Sequence, residues 1–446
     1  MDKKPLIVVS LCAVVLLTLY SNIPAIAFSF PIPSPVEETI YVDDNNTAGP
    51  WDGTPEHPYQ HIQDGVDNAS AGDTIFVFAG YYHERVNVTK TINFLGENKS
   101  TTIIYYEVVE GPFWPTPILN IHSDGVIVSN FTVNLTSGWG DCINITHASN
   151  CRISNNVLQG TSAFQIGNLS KNNEVCYNII QSRYYSSIGG FFVGIHSSNI
   201  TGNVIHHNLF EKKGLYLCGK YTINNTICDN VFDQCNHTAI YTEDTGGNTY
   251  ARNIITGDQT VNINGIFFNT IGYGLTGGNL VYDNIIRNCN GEGIATTVYG
   301  GDTITGNLIE HCGYGMSINE NLVTIKNNTI RYCSVGQDLW FADRPSILEG
   351  NLYDHCFEGI EVRECRNVTF TRNTISNNTL GITNTVTRNH DFVSNNFKDN
   401  KIDVFQQISR NHWLHNYWDR PRLLPKPIFG YLPFVQFDWR PALLPQ

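Results

Sequence analysis

The sequence predicts an all-β solenoid of stacked coils, on three observations. One phrase recurs: Asn284-Ile-Ile-Arg-Asn-Cys289, Asn307-Leu-Ile-Glu-His-Cys312, Asn328-Thr-Ile-Arg-Tyr-Cys333, Asn351-Leu-Tyr-Asp-His-Cys356 and, more faintly, Asn373-Thr-Ile-Ser-Asn-Asn378. Its leading asparagines are 23, 21, 23 and 22 residues apart. A period of that size marks a repeat architecture in which each unit stacks only on its neighbours. Most phrases are followed by a glycine and a second apolar strand, as in Gly293-Ile294, Gly315-Met316, Gly359-Ile360 and Gly381-Ile382. Charged residues are only 15% of the chain, against about 25% in ordinary domains. Heavy use of Asn, Thr, Gly and Ile suits short strands with polar turns and excludes coiled coil and disorder.

Taken in order, Lys3 and Lys4 precede an apolar run of 16 residues from Pro5 to Tyr20, and Ala25-Ile26-Ala27 offers a cleavage site. Residues 1–27 thus read as an export signal, the run being shorter than the ~20 residues of a spanning helix. An uncleaved anchor is the alternative, and membrane contact is expected only through this segment. Residues 28–38 form a proline-rich linker. Residues 39–110 hold an N-terminal cap and the first coils. Strands are expected at Thr39–Val42, Thr74–Phe78, Val86–Val88, Ile92–Leu95 and Thr101–Tyr105, and helical spacing at Ile62, Val66 and Ala69 within Gln60–Ala69.

Residues 111–410 carry the repeats, about 22–23 residues per coil, each coil holding three short strands. Anchors before the clearest phrases fall at Asn130, Asn156, Asn178, Asn203, Asn230 and Asn253, and after them at Asn396 and Asn416. Stacked asparagines can hydrogen-bond from coil to coil and take the left-handed backbone that such turns need. Residues 411–446, rich in aromatics and proline, are expected to cap the last open edge.

Cys12 lies in the signal, leaving 11 cysteines. Cys235, Cys289, Cys312, Cys333 and Cys356 each sit five residues after an anchor asparagine, which predicts a column of buried thiols. Bridges between rungs also fit disulfide spacing. No CxxC pair has zinc spacing, so no metal ligands are assigned. The net charge of −13 argues against a nucleic-acid partner.

The segment 57–104, with His61-Ile-Gln-Asp-Gly-Val-Asp67, Gly72-Asp73-Thr-Ile-Phe-Val-Phe78 and Gly80-x-Tyr82-x-Glu84, resembles the opening of pectin-lyase-like right-handed β-helices, pectin methylesterases among them. Residues 110–420, ending on Asn416-Tyr417-Trp418, resemble the NosD-type periplasmic copper-binding family, which shares the carbohydrate-binding and sugar-hydrolysis type of repeat. The resemblance implies a three-sheet right-handed parallel β-helix with a short capping helix. The later catalytic motifs of pectin methylesterases, and those of polygalacturonases, are absent. The chain has two methionines, and His206-His207 is its one histidine cluster.

Alternation after each phrase places Ile240, Ile266, Ile294 and Met316 inward and the next residue outward. The outward column then carries an aromatic strip, His196, Tyr216, Tyr241 and Phe267, with Glu243 in the column beside it. Farther along, Asp338 and Glu361 lie one rung apart beside Trp340 and Arg363. Aromatic faces one rung apart suit sugar faces. Carboxylates ~5 Å apart suit a retaining glycosidase, so Asp338, Glu361 and Arg363 are the catalytic candidates. The same three residues suit calcium with an acidic sugar. By contrast Arg287, Glu310, Arg331 and Asp354 alternate in sign and read as structural. The expected function is an exported cell-surface protein that binds polysaccharide. A polysaccharide lyase or glycosidase is the alternative, and a structural or adhesion protein the third reading.

Overall fold

The computed structural model describes residues 37–107, 117–138, 140–183, 186–188, 199–270, 277–297, 300–319, 322–340, 342, 344–430 and 435–446. The expected signal, most of the linker and His196 lie outside them. Glu38–Gln446 is one compact unit. Most of its described strands form three sheets of 16, 14 and 15 strands. Within these sheets each strand pairs in parallel with the strand one coil further on, as Ile240 with Ile266, Ile294 and Met316 in turn. No helix among the described residues is long and apolar enough to cross a membrane.

The asparagines hold the coils together. From Asn156 through Asn178, Asn208, Asn230, Asn253 and Asn284, each Oδ1 accepts the backbone N–H of the ladder position one coil earlier, at 2.9–3.1 Å. The ladder continues through Asn307, Asn328, Asn351, Asn373, Asn395 and Asn416. Each Nδ2 donates on to the next Oδ1 and to a backbone carbonyl, as Asn284 does to Asn307 and Tyr250. Buried backbone groups that the turns would orphan are thereby paired. The last acceptor is Asp438, whose Oδ2 takes Asn416 N, Asn416 Nδ2 and Trp418 Nε1 at 3.0–3.1 Å. A second ladder runs through Asn173, Asn203, Asn225, Asn248 and Asn279 and ends on Asp302. Aspartate can end such a ladder but not continue it, because it accepts and has no N–H₂ to pass on.

Three anchors are corrected. Asn203 belongs to the second ladder, Asn395 rather than Asn396 carries the first, and Asn130 lies just before Phe131, the first donor. The ladder asparagines do not themselves take the left-handed backbone. The residue before each does, as at Asn155, Tyr177, His207 and Asp229, with φ of 53–58°. That residue turns the chain so that the next side chain points into the stack.

The phrase's cysteines form a third turn. Cys289, Cys312, Cys333 and Cys356 are buried and free, and each Sγ donates to the carbonyl two residues earlier at 3.4–3.6 Å. Asn378 and Asn400 continue the column as a short asparagine ladder. Between this turn and the next strand a glycine column lets the backbones approach. A Cβ on Gly293 or Gly336 would come within 2.6 Å of the neighbouring coil's carbonyl oxygen.

At the N-terminal end the helix is shorter than its spacing predicts, Ile62–Asn68, with Ile62, Gly65 and Val66 buried. Its first-turn N–H groups at Ile62 and Gln63 donate to the Glu84 carboxylate at 3.0 and 3.1 Å. Lys90 Nζ donates to the carbonyls of Asp67 and Ala69 at the other end. Both charges complement the orphan groups and the dipole of a helix too short to stand alone. Glu84, the last residue of the Gly80-x-Tyr82-x-Glu84 motif, is thus a helix cap. At the C-terminal end Arg410–Leu414 and Tyr417–Trp418 still extend the coils, and Lys426–Phe429 pairs antiparallel with Val435–Asp438.

Candidate functional site

The outward column of the 14-stranded sheet brings the sequence candidates onto one face. Tyr216, Tyr241, Phe267, Ala295, Ser317, Asp338 and Glu361 are consecutive register partners. His196 is not the partner expected on the N-terminal side of Tyr216. Ser187 holds that register position, between Gln165 and Tyr216. The coil there is longer, with ladder asparagines Asn178 and Asn208 thirty residues apart, so counting from the glycine in Gly194-Ile195 overshoots the strand.

The Tyr216 and Tyr241 rings stack at 5.3 Å with 24° between planes, and Phe267 follows Tyr241 at 5.6 Å and 55°. At that separation the rings lie over one another rather than side by side. Tyr216 and Tyr241 thus turn one face to each other while Phe267 meets Tyr241 at a tilt, and the strip also presents hydroxyls. Those hydroxyls are oriented: Tyr216 donates to Glu243 Oε2 at 2.7 Å, and Tyr241 accepts from Asn269 Nδ2 at 2.7 Å.

Three rungs on, ~14 Å at strand spacing, lies an acidic cluster. Asp338 is only 4% exposed. Arg363 grips it with two hydrogen bonds, Nη2 to Oδ2 at 2.7 Å and Nε to Oδ1 at 3.3 Å, and its Nε also lies 3.4 Å from Glu361 Oε1. The guanidinium rests 5.2 Å from the centre of the Trp340 ring, a cation–π contact that fixes its plane. Behind Asp338, Gln337 replaces the apolar side chain of the inward column and donates Nε2 to the Asp338 carbonyl at 3.0 Å.

Two further carboxylates, missed by the alternation, belong here. Glu358 and Glu292 start their strands immediately before the glycine, Glu358-Gly359 and Glu292-Gly293. Burial raises the carboxyls of Asp338, Glu361, Glu358 and Glu292, with Arg363 opposing the rise at the first three. The charge on Asp338 adds to the rise at the other three, and that on Glu361 to the rise at Glu358. Four carboxyls against one guanidinium leave the group acidic and apt to hold a proton. These oxygens are the hard donors calcium takes, with Arg363 already supplying one positive charge.

On the neighbouring 15-stranded sheet the alternating column behaves as a brace: Arg287 pairs with Glu310 at 2.9 Å, and Arg331 closes on the same carboxylate. On the 16-stranded sheet the structure assembles a group that motif spacing did not reveal. Glu174, Cys176 and His206 place their ligand atoms within 4.8 Å of one another. The signal was present in the ladder, since Cys176 and His206 each stand two residues before an anchor, Asn178 and Asn208.

A family profile described as the right handed beta helix region matches residues 264–417, and one described as periplasmic copper-binding protein (NosD) matches residues 186–323. No curated protein matches. Among solved structures, tailspike protein 3 of bacteriophage CBA120 is similar at 10% identity and TM-score 0.53, over 90% of this chain and 67% of that one. An alginate lyase of polysaccharide lyase family 6, in complex with a trisaccharide, aligns at 12% identity and TM-score 0.42 over 91% and 92% of the two chains. A mannuronic acid-specific family 6 lyase from human gut microbiota aligns at 12% identity and TM-score 0.46 over 75% and 86%. At such identities the likeness concerns the fold. For the copper of the NosD description, the sulfur, nitrogen and oxygen donors of Glu174, Cys176 and His206 fit a copper or zinc ion.

Proposed function

We propose that this chain, folded as a right-handed parallel β-helix, is an exported, cell-surface protein that binds polysaccharide along the outer face of its 14-stranded sheet. The observation that carries this reading is the single in-register column joining the Tyr216–Tyr241–Phe267 strip to the Asp338–Glu361–Arg363 cluster. A linear chain of sugars meets oriented acceptors and donors at Glu243, Asn269 and Arg363, with the exposed Trp340 ring as the apolar platform. Because the acidic end is net negative, a neutral glycan docks directly, and a uronate requires a bridging cation such as calcium.

A glycan array with immobilised polysaccharides tests this. Wild-type protein should bind, and Trp340→Ala and Tyr216→Ala should each weaken binding at least about tenfold, a loss of about 1.4 kcal/mol. Tyr332→Ala, off this face, should not. Absence of wild-type binding, or binding indifferent to both face variants, removes the reading.

A second reading, a lyase or glycosidase at the same place, is favoured by the raised carboxyls of Asp338, Glu358 and Glu361. One carboxyl would protonate the leaving oxygen while a neighbour one rung away acts as nucleophile or base. Release of reducing ends or unsaturated product that survives Asp338→Asn would remove that assignment.

A further inference from the structure

We infer that Glu174, Cys176 and His206 form a binding site for a divalent transition-metal ion of the zinc class, on the outer side of the 16-stranded sheet and away from the glycan face. Cys176 and His206 are register partners on adjacent rungs, and Glu174 lies two residues before Cys176 on the same side of its strand. Three different elements of ligand chemistry converge: a carboxylate oxygen, a sulfur and an imidazole nitrogen, all within 4.8 Å. Calcium and magnesium take oxygen donors, whereas this mixture suits zinc and its neighbours.

The outer shell is built as well. Arg152, one rung before, pairs with Glu174 Oε2 and leaves Oε1 turned to His206 Nε2 at 2.7 Å. His206 Nδ1 is engaged by His207 Nδ1 at 2.7 Å, so Nε2 is the nitrogen left facing the site. Tyr177 packs against both imidazoles at 5.8 and 5.0 Å. A second hydrogen bond on each ligand group is what holds metal-binding carboxylates and histidines in place. Binding displaces the Cys176 thiol proton to solvent. The proton on His206 Nε2 leaves to solvent, the proton shared by the two Nδ1 atoms settles on His206, and His207 takes a proton from solvent on Nε2 and accepts at Nδ1. Water completes a four-coordinate ion.

The test is metal titration of the whole chain after chelator treatment. Cobalt(II) should bind at one ion per chain with a thiolate-to-metal charge-transfer band, and zinc should displace it. Cys176→Ser should abolish the band, His206→Gln should abolish zinc retention through gel filtration, and Arg152→Gln should weaken binding by about 10- to 100-fold. Cys312→Ser, in the buried thiol stack, should change nothing. No band in the wild type, or a band that survives Cys176→Ser, overturns the inference. Zinc-edge X-ray absorption on the wild type decides independently of how the variants fold: one sulfur with nitrogen and oxygen neighbours supports the site, and a shell without sulfur overturns it.

Discussion

The asparagine ladder and the outer face of the 14-stranded sheet come from the same repeat, yet they differ in what each coil contributes. Along the ladder every coil from Asn156 to Asn416 supplies the same residue making the same bonds. Along the outer face the residue changes from Tyr216 to Phe267 to Ser317 to Asp338 while the backbone register holds. Uniformity marks positions where any other side chain would orphan a buried backbone group. Variety marks positions the stack does not constrain. Between them stand positions such as His390, a substitute within the ladder logic: its Nδ1 accepts Val368 N at 3.1 Å, and its own N–H donates to Asn411 Oδ1 at 3.2 Å.

The largest effect should come from breaking uniformity. Asn284→Ala removes the acceptor for Asn253 N and Nδ2 and the donor to Tyr250 O and Asn307 Oδ1. The cost should be about 3–5 kcal/mol by denaturant unfolding, and a cost under about 1 kcal/mol would contradict the division between ladder and face.

Next is His390, whose burial pushes its imidazole down to about 4. The unfolded chain protonates this histidine first, so stability is complete above ~6.5 and falls as pH drops towards 4. About 3 kcal/mol should be lost across that window. In His390→Asn, which restores the ladder residue, that part of the loss should be absent, so it should appear as the difference between the wild-type and variant pH–stability curves.

The smallest effect sharpens the outer face. Burial raises Glu358, so the folded state holds its proton more tightly than the unfolded chain. That contribution is fully present at low pH and is lost as pH rises from the ordinary carboxylate range through the raised value. Glu358→Gln should therefore flatten the decline in melting temperature as pH rises above the ordinary carboxylate range. An unchanged slope would show that Glu358 is not strained by its acidic neighbours.

The same contrast explains what the sequence made legible. Coil period, three strands per coil and most of the outward column follow from the Asn-x-Ile-x-x-Cys phrase, because ladder bonds tolerate no drift. His196 was misplaced where the coil lengthens. Glu292 and Glu358 escape the alternation because they precede the glycine, and the alternating faces begin at the isoleucine after it. The faces of Tyr216 and Tyr241 looked available because rung spacing alone does not reveal that neighbouring rings stack on each other. Glu174, Cys176 and His206 meet only through pairing between coils, which no local spacing displays.

Hydroxyl-radical footprinting with and without a bound polysaccharide tests the central claim most directly. Protection should fall on Tyr216, Tyr241, Phe267 and Trp340, leaving Tyr177 and Tyr332, which lie on turns outside that column, unchanged. Protection of Tyr177 or Tyr332 with the 14-stranded face still reactive would contradict the account.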